Sequence, residues 1–233
     1  MIVAADYDRL RPALVLARKL RGAAGLLKVG SQLYTAEGPH AVDRLASFGY
    51  EIFLDLKFHD IPNTVAGAVS AAADLHDVAM LTLHTSGGVA MMKAAREALA
   101  HRKTRPLLLG VTVLTSLDAA ALQQIGIRET PASHALALAK LAKQAEMDGV
   151  VASAHEASAI RQECGPKFLI VVPGVRPAEA SANDQSRVAT PTEAIRAGAD
   201  YLVIGRPITA AADPRLAALS IASEMASVPV RSK

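Results

Sequence analysis

The chain has 233 residues, of which 51% are hydrophobic and 20% are charged, and its formal net charge at pH 7 is +3. This composition is sufficient for one well-developed hydrophobic core, and we expect one domain over residues 1–233. Aromatic residues make up only 3% of the chain, which disfavours base stacking, so we expect no nucleic-acid partner. The densest basic run, HRKTR at 101–105, is interpreted as a solvated helix end.

Cysteine content and hydropathy indicate the compartment. The single cysteine, Cys164, excludes an internal disulfide framework and is typical of a reducing environment. No apolar run reaches membrane-spanning length, and the chain begins with the strand-like segment MIVAADYD rather than with a signal peptide. We therefore expect a cytoplasmic protein that does not associate with membranes.

Short apolar runs alternate with amphipathic stretches along the chain. The runs predict eight strands, at 2–5, 26–29, 51–56, 79–83, 107–113, 149–152, 168–172 and 201–204. The stretches between them predict helices, and one has a clear start signal, with Thr190 as N-cap, Pro191 at the first position and Glu193 at the third. Eight strand–helix units in a chain of this length favour a single (β/α)8 TIM barrel. A doubly wound sheet is the alternative, but the segment AADYDRLRP after the first strand lacks the glycine-rich phosphate fingerprint of that fold.

Charged residues stand at the ends of the first three predicted strands. Asp6 follows the first strand, Lys28 lies in the second, Asp55 and Lys57 end the third, and Asp60 follows on the loop. In a barrel these strand ends meet at one rim, where barrel enzymes have their active sites. Each residue alone has a structural alternative, as an ion pair or a helix cap. Burying all five for stability alone is unfavourable, so we interpret them as a functional cluster.

The third strand also predicts the direction of its side chains. Asp55 and Lys57 are two positions apart, so they share one face of the strand with Phe53. We expect this face to point into the barrel, and the alternate apolar residues to meet the helices.

A metal site is an alternative interpretation of the same segment, because Asp and His side chains alternate there. Lys57 lies among them and competes as a cation for the carboxylates, so we predict a site without metal. His84, which ends the fourth strand, stays ambiguous, because a histidine at a strand end is often only hydrogen-bonded to its neighbours.

A second set of polar residues follows the last two strands. The segment VVPGVRP places Pro173 and Arg176 after the seventh strand, Gln185 lies further along the same loop, and VIGRPI places Gly205 and Arg206 after the eighth. The loops after strands seven and eight commonly bind phosphate in barrels. Gly205 lets backbone N–H groups approach a phosphate, and Arg206 offers a bidentate fork. The alternative is that IGRPI is only a strand-to-helix turn.

At these residues the sequence resembles the bacterial-type orotidine 5'-phosphate decarboxylases. The resemblance is carried by KVGSQLYTAEGP, FLDLKFHDIPNTV, VTVLTS, PGVRP with the later NDQSRVATP, and IGRPI. The D-x-K-x-x-D element alone is shared with a wider group of sugar-phosphate barrels. The segment DLKFHDIPNT together with PGVRP and the following Gln185 is more specific.

The resemblance implies conversion of orotidine 5'-monophosphate to UMP and CO2 in de novo pyrimidine biosynthesis, without metal or organic cofactor. It also implies a homodimer with shared active sites, in which Asp60 and Thr64 reach into the partner's site. By the same resemblance, Lys57 would donate the proton within a charge array formed with Lys28, Asp55 and Asp60. The remaining implied contacts are those to the ribose, from Asp6 and Lys28, to the pyrimidine, from Thr115 and Ser116, and on the phosphate side, from Pro173, Arg176, Gln185, Gly205 and Arg206.

Two alternatives stay open at this point. A related barrel decarboxylase or aldolase of the 3-keto-gulonate 6-phosphate or hexulose 6-phosphate type would use an enediolate and usually Mg²⁺, and would leave LTS and PGVRP unexplained. A catalytically silent phosphate-binding barrel would not need Lys57 between two aspartates.

Overall fold

The computed structural model describes residues 1–177 and 189–229. Within these residues, eight parallel strands close into a barrel in chain order, and β8 pairs back with β1. The strands are β1 (Ile2–Ala4), β2 (Leu26–Gly30), β3 (Glu51–Phe58), β4 (Val78–His84), β5 (Leu107–Val111), β6 (Gly149–Val151), β7 (Leu169–Pro173) and β8 (Tyr201–Ile204). The predicted (β/α)8 barrel is confirmed, and each predicted strand end lies within two residues of the observed one.

Helices follow the strands on the outside of the barrel. They are α1 (Leu10–Lys19), α2 (Ser31–Glu37), α3 (Pro39–Ala46), α4 (Pro62–Ala72), α5 (Gly88–Glu97), α6 (Ala119–Gln124), α7 (Pro131–Gln144), α8 (Ala154–Cys164), α9 (Pro191–Ala197), α10 (Arg206–Thr209) and α11 (Pro214–Ala226), with a 3₁₀ turn at Thr85–Gly87. The predicted start of α9 is confirmed, because Thr190 and Glu193 form a reciprocal capping box. No helix in the described part of the chain is long and apolar enough to cross a membrane.

The hydrophobic core has two layers, which lie on opposite faces of the strands. The inner layer fills the barrel and consists of Ile2, Ala4, Leu26, Phe53, Met80, Leu109, Val171 and Val203. The outer layer, between strands and helices, includes Ile52 and Leu54. This alternation confirms the predicted facing of β3, and it leaves the carboxyl end of the barrel to polar side chains.

An ion pair joins two strands at the opposite, amino end of the barrel. Asp148, directly before β6, receives two hydrogen bonds of 2.7 Å from Arg105 and one of 2.8 Å from the N–H of Leu108 in β5. Hydrogen bonding to Asp148 raises the pKa of Arg105. One carboxylate, with a side chain only 16% exposed, thus fixes the start of both strands.

A second ion pair repeats this arrangement two strands later. Asp200, directly before β8, pairs with Arg161 and accepts a hydrogen bond of 2.8 Å from the N–H of Ile170 in β7. Arg161 also donates to the carbonyls of Phe168 and Gly198. Strands β7 and β8 are therefore held in the same way as β5 and β6.

The interpretation of HRKTR as a solvated helix end is wrong for its two arginines. Arg105 belongs to the ion pair with Asp148, and its side chain is only 23% exposed. Arg102 donates to the carbonyls of Ser70 and Ala73 and pairs with Asp74. Both guanidinium groups bind elements that lie elsewhere in the sequence.

Asp148→Ala should lower the free energy of unfolding by about 2–3 kcal/mol, because it leaves Arg105 and the N–H of Leu108 without their carboxylate. Urea denaturation measures the change. Asp74→Ala is the matched control, since it breaks an Arg–Asp pair whose carboxylate is 69% exposed. The control should shift stability by no more than about 0.5 kcal/mol. Equal losses in the two variants would show that the pair before β6 has no special structural role.

Candidate active site

A cavity of about 440 Å³ opens at the carboxyl end of the barrel. Its floor is the upper edge of the inner core, with Ala4, Phe53 and Val203. This volume is in the usual range for a small-molecule site. The rim predicted from the strand ends is therefore the mouth of a real cavity.

Four of the predicted charged residues meet on one wall of this cavity. They alternate in sign, from Asp6 through Lys28 and Asp55 to Lys57. Lys28 Nζ lies 2.8 Å from Asp6 Oδ1 and 3.5 Å from Asp55 Oδ2, and Lys57 Nζ lies 2.9 Å from the same Asp55 oxygen. We call these four residues the charge array.

Burial increases towards the middle of the charge array. The side chains of Lys28 and Asp55 are 10% exposed, that of Lys57 is 33% exposed and that of Asp6 is 50% exposed. Lys57 is thus the more accessible of the two ammonium groups. A ligand in the cavity can therefore contact the ammonium of Lys57, whose counter-ion, the more buried Asp55 carboxylate, is already in place.

The array keeps its buried members charged. Burial alone would raise the pKa of Asp55, but Lys28 and Lys57, with hydrogen bonds from Lys57 and Thr82, hold it below its ordinary value. Burial alone would lower the pKa of Lys28, but Asp55 and Asp6 hold it above its ordinary value. At neutral pH both groups are therefore ionised.

The backbone at Lys57 is unusual. Lys57 has a φ of +54°, in the left-handed region, which costs a residue with a side chain about 1 kcal/mol or more. The pairing of β3 with β4 shifts register between Leu54 and Phe58, so Lys57 lies in a bulge. Within this bulge the ammonium of Lys57 lies on the cavity wall.

The residues predicted after strands five, seven and eight form another part of the cavity lining. Thr115, Pro173, Arg176, Gly205 and Arg206 all line the cavity. Arg176 is buried, and its burial, followed by the positive charge of Arg206, lowers its pKa. Two guanidinium groups that repel each other in the lining of one cavity are well suited to a doubly charged anion. We call Arg176 and Arg206 the arginine wall.

Three predicted residues do not line the cavity of their own chain. Ser116 is exposed in the turn after β5, and Asp60 and Thr64 are exposed at the start of α4. Asp60 accepts a hydrogen bond of 2.6 Å from the N–H of Ile61. Within the described residues, the only carboxylate within ion-pair distance of Lys57 Nζ is that of Asp55. One further predicted residue, Gln185, lies outside the described residues.

Two histidines lie beside the array. The ring centroids of His59 and His84 are 5.4 Å apart. Burial, and then the charges of His59 and Lys57, lower the pKa of His84. Among residues 1–177 and 189–229, no group of three or more His, Cys, Asp or Glu side chains is placed to hold a metal ion. The metal-free site stays a prediction.

Sequence reasoning missed Thr82, whose side chain is fully buried in β4. Its hydroxyl donates to Asp55 Oδ1 and accepts from the N–H of Lys57, both at 2.9 Å. A signal was present, because Thr82 lies two positions after the inward-facing Met80 and should therefore also point into the barrel. Threonine is so common in strands that this position did not stand out.

The arginine wall and the charge array together can bind the phosphate of a phosphorylated ligand and act on another part of the same ligand. The two arginines supply positive charge for a phosphate, and the array supplies the Lys57 ammonium, which the Asp55 carboxylate holds. Such an ammonium can stabilise developing negative charge and then donate a proton.

Comparison with known proteins assigns the chain to a family. The sequence model of the orotidine 5'-phosphate decarboxylase / HUMPS family matches residues 1–221. An orotidine 5'-phosphate decarboxylase from Nitrosococcus oceani is 55% identical over 228 residues, covering 98% of each chain. Another from Chromohalobacter salexigens is 50% identical, covering 97% of this chain and 95% of that protein.

Solved structures agree with the sequence matches. The crystal structure of orotidine 5'-phosphate decarboxylase from Lactobacillus acidophilus superposes with a TM-score of 0.84 at 37% identity, covering 97% of this chain and 98% of that one. The enzyme of the same name from Pyrococcus horikoshii OT3 gives a TM-score of 0.79 at 26% identity, covering 98% of this chain and all of that one. With its barrel, its charge array and its relatives in agreement, the chain belongs to the orotidine 5'-phosphate decarboxylase / HUMPS family.

Proposed function

We propose that residues 1–233 form one domain that decarboxylates orotidine 5'-monophosphate to UMP and CO2 in de novo pyrimidine biosynthesis, without metal or organic cofactor. The observation that carries the proposal is the charge array, which lines the same cavity as two arginines, Arg176 and Arg206. Relatives that are 50% and 55% identical over nearly the whole chain bear the name of this enzyme. A cytoplasmic location is part of the proposal and is supported by the single cysteine.

The chemistry requires electrostatic stabilisation at one carbon atom. When the bond from C6 to the carboxylate breaks, the electron pair stays on C6, and no adjacent group can delocalise it. Lys57, whose ammonium lies on the cavity wall, stabilises that negative charge and then transfers a proton from Nζ to C6. Solvent returns a proton to Nζ after product release.

Asp55 has two roles in this mechanism. Its carboxylate holds the Lys57 ammonium at 2.9 Å. It also presents a negative charge to the substrate carboxylate, and this repulsion ends when neutral CO2 leaves.

The arginine wall binds the substrate at the far end from C6. Arg176 and Arg206 supply charge-assisted hydrogen bonds to the phosphate, and Gly205 leaves room for the backbone to approach it. Asp6 and Lys28 hold the ribose hydroxyls, and Thr115 contacts the pyrimidine. Binding energy from the phosphate then orients C6 against Lys57.

The proposal also includes a homodimer with shared active sites. The supporting observation is a run of exposed residues, 59–64, which begins at the rim of the cavity and includes Ile61 at 66% exposure. Asp60 and Thr64 lie in this run and do not line the cavity of their own chain. Their exposure, away from the cavity of their own chain, supports the proposal that they act on the cavity of a second copy.

The direct test is turnover of orotidine 5'-monophosphate in the presence of EDTA, followed by the change in pyrimidine absorbance. We expect turnover that EDTA does not reduce, because the ammonium of Lys57 supplies the positive charge at the reacting carbon. Loss of activity with EDTA and its return with Mg²⁺ would favour the enediolate chemistry of the sugar-phosphate alternative. Binding without turnover would favour the silent barrel.

Arg206→Ala should weaken UMP binding by about 10- to 100-fold, because a charge-assisted contact to the phosphate is lost. Uridine, which has no phosphate, should lose less than about threefold. Isothermal titration with the two ligands measures the difference. Arg18→Ala, at an exposed position of α1, is the control and should change neither affinity. If the affinities for UMP and uridine fall equally, Arg206 has a structural role instead.

Mixed dimers test the shared site. Lys57→Ala and Asp60→Ala proteins should each be inactive, but unfolding and refolding them together should restore about a quarter of wild-type activity. Half of the dimers are then mixed, and each mixed dimer has one site that draws native Lys57 and native Asp60 from opposite chains.

A second mixture provides the matched control. Lys57 and Asp55 contact each other within one chain, so mixing Lys57→Ala with Asp55→Ala leaves a defect in every site and should restore nothing. Wild-type protein refolded in the same way sets the full value. Absence of recovery from the Lys57→Ala and Asp60→Ala mixture, with normal wild-type recovery, would exclude a site shared through Asp60.

A further inference from the structure

Thr82 is the single residue of β4 that lies opposite the bulge in β3. Leu54 pairs with Leu81 and Phe58 pairs with Leu83, so three residues of β3, at 55–57, face the single residue Thr82 of β4. Two of those three residues belong to the charge array. The side chain of Thr82 is fully buried between the two strands.

The hydroxyl of Thr82 has only one possible hydrogen-bond arrangement. The backbone N–H of Lys57 can only donate, so it donates to Thr82 Oγ1 at 2.9 Å. The carboxylate of Asp55 is ionised and can only accept, so the hydroxyl proton goes to Asp55 Oδ1, also at 2.9 Å. One hydroxyl therefore connects the backbone of Lys57 to the side chain of Asp55.

Each of the two bonds fixes one part of the charge array. The bond to Lys57 N–H takes the place of a strand bond at the point where the register shift interrupts the pairing, and it supports the left-handed backbone there. The bond to Asp55 occupies Oδ1 and leaves Oδ2 to face the ammonium groups of Lys57 and Lys28, at 2.9 and 3.5 Å. The Thr82 hydroxyl thus sets both the backbone direction at Lys57 and the rotation of the Asp55 carboxylate.

We propose that Thr82 is a positioning residue for the reaction, and that its hydroxyl holds the Lys57 ammonium and the Asp55 carboxylate in the arrangement from which C6 is protonated. Thr82 is not among the described residues that line the cavity, so it acts through the array and not on the substrate. The inference rests on the proposed function, because it assigns Lys57 the proton transfer.

The test replaces the hydroxyl without changing the volume. Thr82→Val should lower kcat by about 10- to 100-fold, because small displacements of a proton donor are costly. UMP affinity should change by less than about threefold, since the arginine wall is unaffected. Thr82→Ser, which retains the hydroxyl, should restore most of kcat. If Thr82→Val does not fold, Thr82→Cys takes its place, because a thiol of similar size is only a weak donor and acceptor.

The matched control is Thr85→Val. Thr85 is also fully buried. Its hydroxyl donates a hydrogen bond of 2.7 Å to the carbonyl of Val111 and does not contact the array. This control loses a buried hydrogen bond of the same kind and should keep kcat. Thermal unfolding of both variants shows whether their losses of stability are comparable.

A pH profile separates positioning from a general loss of stability. The Thr82 hydroxyl favours the ionised form of Asp55, which is also faced by Lys28, Lys57 and His84. Removing the hydroxyl raises the pKa of Asp55, so the acid limb of kcat should move to higher pH in Thr82→Val. In Thr82→Ser and Thr85→Val the acid limb should stay at the wild-type position.

Wild-type turnover in the same assay distinguishes the two levels of the proposal. If wild type does not decarboxylate orotidine 5'-monophosphate, the proposed function fails, and the role of Thr82 fails with it. If wild type is active and Thr82→Val keeps its kcat and acid limb, only the role of Thr82 is overturned. Equal losses of kcat in Thr82→Val and Thr85→Val, or no rescue by Thr82→Ser, also overturn it.

Discussion

The arrangement at the carboxyl end of the barrel depends on one buried carboxylate. The side chain of Asp55 is only 10% exposed and is ionised, and leaving such a charge without partners inside a protein costs several kcal/mol. Its partners come from three neighbouring strands, Lys28 from β2, Lys57 from its own strand and Thr82 from β4. Satisfying Asp55 therefore sets the relative positions of these strand ends, including the left-handed backbone at Lys57.

Much of the fold could be predicted from the sequence, for a simple physical reason. Barrel strands are covered on both faces, so they form short apolar runs, and all eight were located within two residues. The largest errors in strand ends are those of β3 and β5. Strand β3 continues to Phe58, two residues further than predicted, because the bulge allows Phe58 to pair with Leu83. The role of Arg105 was missed because its partner, Asp148, lies 43 positions away, and nothing in the run HRKTR indicates a buried ion pair.

The site could be predicted where a local rule applied. The two-residue period of a strand placed Asp55 and Lys57 on one face, and the convergence of strand ends brought Asp6 and Lys28 to them. The same period points Thr82 into the barrel but gives no sign of its two partners, which lie 25 and 27 positions away. Local rules also give no sign of the positive φ at Lys57, because glycine is the residue expected there. The proposed role of Asp60 and Thr64 involves a second copy, so one chain alone gives no geometry for it.

The ion pairs before β6 and β8 lie at the opposite end of the barrel from the cavity. The strands between the two ends are three to eight residues long, so roughly 10 Å or more separates most residues of one end from those of the other. Substitutions that far apart, with no shared partners, usually change stability additively. The effects on stability of substitutions at the amino end should therefore add to those of substitutions in the charge array. Stability can thus be changed at the amino end and substrate range at the carboxyl end. This chain is therefore a suitable starting point for engineering heat resistance and substrate range separately.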